Sequence, residues 1–459
     1  MKNISKILIF ISILAISFSC EDMLEVDPVM DLTEENALSS TQGIQAGLIG
    51  AYDRLQDSYL FGGRIWIAAD MLAGTVKKSG LENTVFEEEQ MLNKTVSAES
   101  NQIIQRFWEE SYFTIHTVNS ILLQLPEVND QDMNPSTRQR IEGEARFIRA
   151  LMYFYLNQYI AFDVQGYDET LSVPIMTEPS AIDFFPARNS EQEVFNFITT
   201  DLKKAAELLQ GKSTNGRAST IAANALLSRV YFYDEDWDST AIYATKVIDQ
   251  YSGEPNGGLA DSLLNCFAPG TSLPDEVLFT IRSDANDYSS GTIRSHYSLN
   301  DNAKFSMDGG YLGTIGTHVR GGESDARAEV GYTFVNVEGK VYSTKFDPEY
   351  LNVPVIRLAE IYLNRAEARV NNGDMAGARK DLNVVRNRSG VSNLTGNPTL
   401  RDCETERTIE LYLEGDYLHN MKRLQKENFA KDVNNNRYSW NDLELYFPIP
   451  QTDLDLNDN

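Results

Sequence analysis

The sequence predicts a mostly α-helical protein, in which pairs of helices stack into a scaffold that carries long, loop-rich insertions and a few short β-strands. Two observations favour this fold class. Apolar residues recur at spacings of three and four along several long segments, and two stretches of similar length repeat a helix–turn–helix plan. A hydrophobic content of 42% and an aromatic content of 10% are typical of a packed globular protein.

Four long amphipathic segments form the first part of the predicted scaffold. Apolar side chains fall on one helical face in each of the segments 41–59, 102–125, 138–160 and 191–210. Pro126 ends the second of these helices, and Gly211 ends the fourth.

The two helix–turn–helix stretches are residues 218–250 and 357–390. Each consists of a helix, a short polar turn and a second helix, and the turn of the second stretch is 371–374. Alanines recur where the paired helices approach each other closely. Both stretches have about the 34-residue period of a tetratricopeptide repeat, whose stacked helix pairs bury a shared core. One helical body is therefore favoured over several separate domains.

The insertions are residues 60–100 and 251–350, which are rich in glycine, asparagine, aspartate, serine and aromatic residues. Within the second insertion, the alternating apolar residues of 275–281 predict a strand. The segment 330–346 predicts a hairpin that turns at Glu338-Gly339. Loops of this length in a compact protein are usually functional, so a binding architecture is expected here.

The start of the chain predicts a lipid anchor. Two lysines precede the apolar run 7–18, which is shorter than the about 20 residues that a membrane-spanning helix needs. Ser19 and Cys20 follow as a lipoprotein cleavage site. We therefore expect residues 1–19 to be a signal peptide and residues 20–459 to be one domain, lipidated on Cys20. The alternative is an ordinary signal peptide with an incidental cysteine.

Charge and cysteine content limit the partners and the covalent framework. The formal net charge is −27, and so acidic a surface repels phosphate backbones, which makes nucleic acid an unexpected partner. Only Cys266 and Cys403 remain besides Cys20, which excludes a disulfide scaffold but leaves a single bridge open.

No pattern in the chain is typical of catalysis or metal binding. The histidines, His116, His296, His318 and His419, form no zinc-like spacing, and no phosphate-binding loop or nucleophile elbow is found. The acidic stretch 234–238 lacks the spacing of a calcium loop and is interpreted as a solvated turn. Glu406, Glu410 and Glu414 share a helix face near Arg407 and Arg423, which indicates structural ion pairs. We therefore predict a non-enzyme without cofactor or metal.

Several motifs in order carry a resemblance to a known family. They begin with "SCEDMLEVDP" and continue through 144–162, 173–179, 193–209, 216–248, 353–374, 406–424 and 445–457. With these motifs the chain resembles the SusD/RagB family of nutrient-binding outer-membrane lipoproteins of Bacteroidetes. It departs from the family in "DYLHN" after Glu414-Gly415 and in a rather short middle region.

The resemblance implies a location and a set of partners. Members sit on the extracellular face of the outer membrane as a lid on a SusC-type TonB-dependent barrel transporter, and capture glycan, or in some cases peptide, for import. Glu21 and Asp22 directly behind the lipidated cysteine resemble the family's surface-export signal.

The family's ligand site implies candidate residues in two regions. In 62–76, Trp66 is the expected sugar platform, although a core tryptophan is an equal alternative, and Asp70 is a candidate hydrogen-bond acceptor or a helix-capping or solvated acid. In 287–313, neighbouring glycine, serine and asparagine favour exposure of the aromatic rings. The candidates there are Tyr288, Arg294, His296, Tyr297 and Tyr311. Arg294 and His296 have a loop-stabilising role as their alternative.

Four hypotheses for function follow. The first is a lipoprotein that delivers oligosaccharide to the transporter. The second replaces the sugar with an oligopeptide, and scarce aromatic platforms around Trp66 would favour it. The third is a surface glycosidase on the same scaffold, and the fourth is a structural subunit of the transporter that contacts no ligand.

Overall fold

The computed structural model describes most of the chain, namely residues 34–162, 169–179, 186–212, 216–288, 291–316, 325–329 and 333–456. The predicted signal peptide 1–19, the predicted lipidation site Cys20, the acidic pair behind it and His318 lie outside the described residues.

The helices account for most of the described chain and confirm the predicted fold class. In chain order they are α1 Glu34–Ala37, α2 Thr41–Leu55, α3 Arg64–Ala73, α4 Phe86–Asn93, α5 Gln102–Gln124, α6 Pro135–Ile160, α7 Glu191–Leu208, α8 Thr220–Tyr233, α9 Trp237–Ile248, α10 Gly291–Tyr297, α11 Gly309–Gly316, α12 Leu358–Asn371, α13 Met375–Arg388, α14 Leu400–Glu410, α15 Asp416–Arg423 and α16 Gln451–Leu456.

All four predicted amphipathic helices are present as α2, α5, α6 and α7. Side-chain caps fix where they begin: Ser40, Asn101, Asn134 and Ser190 each accept a hydrogen bond from a backbone N–H of the first turn. Ser190 forms a full capping box with Glu193. The helix starts therefore follow from local sequence.

The two predicted repeats are the helix pairs α8–α9 and α12–α13. Asp236 and Asp374 cap the second helix of each pair. Alanines at the contact faces, such as Ala225 and Ala366, are fully buried and allow close packing. Each helix from α5 to α9 packs against the next, α9 packs against α12, and α12 packs against α13. A stack of helix pairs thus forms the scaffold.

Short strands pair into two-stranded antiparallel sheets in the orders β1–β3, β2–β6, β4–β5 and β7–β8. Their bounds are β1 Val76–Lys78, β2 Val277–Ile281, β3 Phe305–Met307, β4 Phe334–Val337, β5 Lys340–Ser343, β6 Val353–Arg357, β7 Ala430–Lys431 and β8 Arg437–Tyr438. The predicted strand is β2 and the predicted hairpin is β4–β5. Glu338 and Gly339 form its turn with φ of 51° and 79°, as a type I′ turn requires.

The two insertions contain more regular structure than their composition indicates. The first holds α3, β1 and α4, and the second holds α10 and α11 with four of the strands. Helix α3 escapes periodicity analysis because nine of its ten residues are buried, so that it has no polar face. None of the described helices is long and apolar enough to span a membrane.

Glu406, Glu410 and Glu414 form structural ion pairs, as predicted, but with other partners than expected. They belong to a buried charge network of five basic and five acidic side chains: Arg327, Lys345, Arg357, Arg386, Arg388, Glu276, Asp325, Glu406, Glu410 and Glu414. Arg407 and Arg423 pair instead with Asp416 and Glu367. Equal numbers of opposite charges keep this part of the interior neutral.

Candidate functional site

Trp66 is a core residue, and the prediction of an exposed platform is wrong. Its side chain is 4% exposed on α3. Gly415 lies so close above it that an added Cβ would stand 3.0 Å from both the Cα and the Cδ1 atom of Trp66. Gly415 also has a φ of 74°, which favours glycine. The indole is therefore packed beneath Gly415 and is not an exposed platform.

Asp70 lies beneath the surface and not at a solvated helix end. Its carboxylate accepts a hydrogen bond of 2.7 Å from the Tyr297 hydroxyl and one of 2.9 Å from the Thr75 hydroxyl. Burial raises the pKa of Asp70 to about 7, and these hydrogen bonds oppose the rise. Tyr297 is 2% exposed, so the expected exposure of this ring is also wrong. The two residues join α3 to α10.

His296 is buried in an ionic cluster that ties α4 to α10. Its Nε2 lies 2.8 Å from Glu88 Oε1, and its Nδ1 lies 2.6 Å from the Thr292 carbonyl oxygen. Lys304 Nζ lies 3.0 Å from the same Glu88 oxygen. Burial opposes ionisation of Glu88, but its interactions with His296, the Val85 backbone N–H and Lys304 outweigh it and lower the pKa of Glu88 to about 2. These contacts give His296 the loop-stabilising role that was its alternative.

Tyr311 is likewise buried, against the expectation of exposure. It is 6% exposed on α11, and its ring meets the ring of Tyr417 edge-on at 5.1 Å. Its hydroxyl has no hydrogen-bond partner within the described part of the chain. Tyr311 therefore lies on a helix with its ring buried, and not in a solvated loop.

Tyr288 and Arg294 are the candidates that remain near the surface. Tyr288 is 44% exposed, and the side chain of Arg294 is 14% exposed. The guanidinium donates to an Asp301 carboxylate oxygen at 2.6 Å and to the Asp347 carbonyl oxygen at 3.2 Å. These bonds hold it beside the Tyr288 ring, with which it also interacts.

Tyr350 completes this surface, and sequence analysis missed it. Its ring meets that of Tyr288 edge-on at 5.2 Å with an interplanar angle of 76°. It follows the 3₁₀ turn 344–346 and takes a φ of 57°, which is rare for a tyrosine. No local pattern indicates that residues 62 positions apart meet. We call Tyr288, Tyr350 and Arg294 the tyrosine surface.

The tyrosine surface offers binding chemistry. It combines two partly exposed rings with a fixed cationic donor, which is the mixture of apolar face and polar contact that a hydroxylated or amide-bearing ligand needs. Within the described residues, no three histidine, cysteine, aspartate or glutamate side chains are grouped to hold a metal ion.

Comparison with solved structures identifies the fold. A candidate sugar-binding protein of Bacteroides vulgatus is 25% identical and superposes with a TM-score of 0.79, over 92% of this chain and 97% of that one. A SusD superfamily protein of Bacteroides thetaiotaomicron is 24% identical with a TM-score of 0.76, over 91% and 98% of the two chains. The fold is thus that of the SusD superfamily.

Family models and relatives agree with the fold. One model, described as "SusD family", matches residues 279–459, and another, described as "Starch-binding associating with outer membrane", matches residues 22–232. A SusD-like protein of Bacteroides ovatus is 24% identical over 89% of this chain and 80% of its own. SusD-like protein P38 of Formosa agariphila is 26% identical, but the chain spans only about half of it, 46%.

Between them the two models match most of the chain, and SusD-like relatives agree with them, which confirms the resemblance to the SusD/RagB family that the motifs indicated. The second model describes a family of starch-binding proteins that associate with the outer membrane.

Proposed function

We propose that this protein is a glycan-binding lipoprotein that captures oligosaccharide at the cell surface and passes it to a SusC-type TonB-dependent transporter. It binds without covalent chemistry. The observation that carries the proposal is the tyrosine surface, which supplies exposed rings on a scaffold of a starch-binding family.

The ligand contacts follow from this geometry. The C–H face of a sugar ring packs on Tyr288 or Tyr350, and Arg294 donates to a ring hydroxyl. Because the Asp301 carboxylate and the Asp347 backbone carbonyl already accept hydrogen bonds from Arg294, the position of its guanidinium is fixed before the ligand arrives. Pre-positioned donors lower the entropic cost of binding.

Substitution of the two tyrosines tests the proposal. We expect Tyr288→Ala and Tyr350→Ala each to weaken oligosaccharide binding about tenfold, a loss of ~1.4 kcal/mol, measured by isothermal titration calorimetry. Tyr243→Ala is a matched control, because it removes a half-buried tyrosine from a ring pair on the repeat helix α9. Unchanged affinity in both tyrosine-surface variants would reject this site.

The anchor forms a separate part of the proposal. Residues 1–19 act as the signal peptide, and residues 20–459 form the exported domain, held on the extracellular face of the outer membrane by lipid on Cys20. Cys20→Ser would then release the protein from the membrane fraction on cell fractionation. A variant that stays with the membranes would contradict lipidation at this residue.

Oligopeptide is the second candidate ligand, and one observation favours it. Trp66 is buried, so aromatic platforms are scarce in the region that was expected to supply one. Titration with mixed oligopeptides under the same conditions separates the two ligands, because a peptide-binding protein would release heat with peptides and none with glycans.

A further inference from the structure

Helix α10 connects the tyrosine surface to a buried carboxyl group. It spans Gly291–Tyr297 and carries Arg294, which belongs to the tyrosine surface. Its last residue, Tyr297, donates a hydrogen bond of 2.7 Å from its hydroxyl to Asp70 Oδ2 on α3. Asp70 is 1% exposed and Tyr297 is 2% exposed, so this bond lies in the interior. The position of Arg294 therefore depends on a helix that Asp70 helps to hold.

Asp70 has no cationic contact partner among the described residues. Its second oxygen accepts a hydrogen bond of 2.9 Å from the Thr75 hydroxyl. The cation that acts on Asp70 from a distance, Lys345, is already engaged, because its Nζ lies 2.9 Å from Glu414 and donates to the Tyr412 carbonyl oxygen at 2.6 Å. A buried carboxyl group that is held only by hydroxyl groups favours its protonated form, because burial penalises the charge.

The remaining titratable groups that face Asp70 in the described structure supply no positive charge. Besides Tyr297 on α10, they are Tyr159 on α6, Tyr311 on α11 and Glu414 between α14 and α15. The Tyr159 hydroxyl donates to a backbone carbonyl oxygen, and the Tyr311 hydroxyl has no hydrogen-bond partner within the described part of the chain. Burial is the main cause that raises the pKa of Asp70 to about 7, and the charge of Glu414 adds to the rise.

Separation of α10 from α3 would change the proton affinity of Asp70. An opened α10 gives the carboxyl group access to water, so its pKa falls towards its ordinary value of 3.8. The closed arrangement then holds a proton that the open arrangement releases. Between about pH 4 and about pH 7 the equilibrium constant for opening should rise about tenfold for each pH unit. Above that range it should stay level, because Asp70 is ionised in both arrangements.

Other titratable groups also hold α10, and their effects can be separated from that of Asp70. His296 Nε2 lies 2.8 Å from Glu88, and burial lowers the pKa of His296, so its protonation would favour opening at low pH, which is the opposite direction. Glu88 stays ionised across this range, because its pKa is about 2. The Asp347 carboxylate accepts a hydrogen bond of 2.6 Å from the Ser298 hydroxyl beside α10. Burial raises the pKa of Asp347, so this group would act in the same direction as Asp70.

We propose that Asp70 is a proton-dependent latch on α10. The protonated form keeps α10 closed against α3, and ionisation lets α10 open, which carries Arg294 away from Tyr350. The tyrosine surface would thus be assembled in mildly acidic surroundings and loosened at neutral pH. This consequence for ligand capture rests on the proposed function, whereas the latch itself does not.

Hydrogen–deuterium exchange with mass spectrometry tests the latch on the purified protein without any ligand. Exchange of the α10 amides at pH 5, 6, 7 and 8, corrected for the intrinsic exchange rate, reports the equilibrium constant for opening. We expect it to rise at least tenfold from pH 5 to pH 7 and to level off by pH 8. Asp70→Asn should remove the rise, because asparagine keeps an acceptor for Tyr297 but does not titrate. Asp347→Asn should retain the rise, and the amides of α13 serve as the internal control.

Tyr297→Phe keeps the test valid if Asp70→Asn fails to fold. It removes a hydrogen bond that lowers the pKa of Asp70 in the closed arrangement, so the rise should continue above pH 7. A rise in Tyr297→Phe that still ends at pH 7 would overturn the proposal.

The other contradicting results concern the wild type and the asparagine variants. Opening of α10 that stays constant or decreases from pH 5 to pH 7 would overturn the proposal, and so would an equal rise in α13. The same holds for a rise that Asp70→Asn leaves unchanged or that Asp347→Asn abolishes. Absence of glycan binding at the tyrosine surface would reject the proposed function and leave these exchange results unaffected.

Discussion

Glu410→Gln removes one negative charge from the centre of the buried charge network while keeping the size of the side chain. The Glu410 carboxylate lies 2.9 Å from Arg357, 2.5 Å from Arg388 and 3.4 Å from Arg327. Without it, five basic groups face four carboxylates in the interior. Breaking a buried ion pair by removing one partner costs about 3–5 kcal/mol of folding free energy.

The loss of stability in Glu410→Gln should depend on pH. Burial opposes ionisation of Glu410, but the three arginines outweigh it and hold its pKa below its usual range. Its stabilising contribution is therefore present above the unfolded-state pKa, near 4.5, and is lost as the pH falls below that value. The difference in free energy of unfolding between wild type and Glu410→Gln should be largest at pH 7 and become smaller towards pH 3.

Urea unfolding at pH 7 measures this difference in free energy of unfolding, provided that the free energy depends equally steeply on urea concentration in both proteins. Glu404→Gln is the matched control, because Glu404 lies on the same helix and pairs with Lys426 at 2.8 Å near the surface. This exposed pair should contribute less than about 1 kcal/mol. A loss for Glu410→Gln no larger than that for Glu404→Gln would refute the argument.

The remaining predictions concern other buried features. The pKa of Asp70 is raised to about 7 in the folded protein, so its stabilising contribution is present below about pH 4 and is lost as the pH rises to 7. Asn does not titrate, so the free energy of unfolding of Asp70→Asn should rise relative to that of wild type by up to about 4 kcal/mol between pH 4 and pH 7, as followed by thermal melts. A difference that stays constant with pH would contradict the raised pKa of Asp70. Gly415→Ala should lower the melting temperature more than Gly373→Ala, because both glycines have positive φ but only Gly415 has no space for a Cβ; equal losses would contradict the packing argument. Cys266 and Cys403 are free and buried, so dithiothreitol should not change the melting temperature, and a shift on reduction would indicate a bridge.

The helical scaffold could be predicted because its signals are local. Periodicity and caps such as Ser190 and Asp236 place the helices, and the turn at Glu338-Gly339 places the hairpin. Helix α3 was missed because almost all of its residues are buried, which removes the alternation that periodicity analysis detects.

The candidate site could be predicted only in part, because exposure depends on what packs above a residue. Small polar neighbours correctly indicate that Tyr288 is exposed. They fail for Tyr297, because its hydroxyl donates a hydrogen bond to the buried Asp70. Tyr350 meets Tyr288 through a contact between distant segments, which no sequence motif encodes. The charge network shows the same limit, since the partners of Glu410 come from other segments of the chain.

A calorimetric titration of the purified protein against plant and host polysaccharides and mixed oligopeptides tests the central claim most directly. We expect heat of binding with at least one glycan. Tyr288→Ala should weaken the affinity for that glycan about tenfold. Binding of peptides alone, or glycan binding that is unchanged in both Tyr288→Ala and Tyr350→Ala, would contradict it.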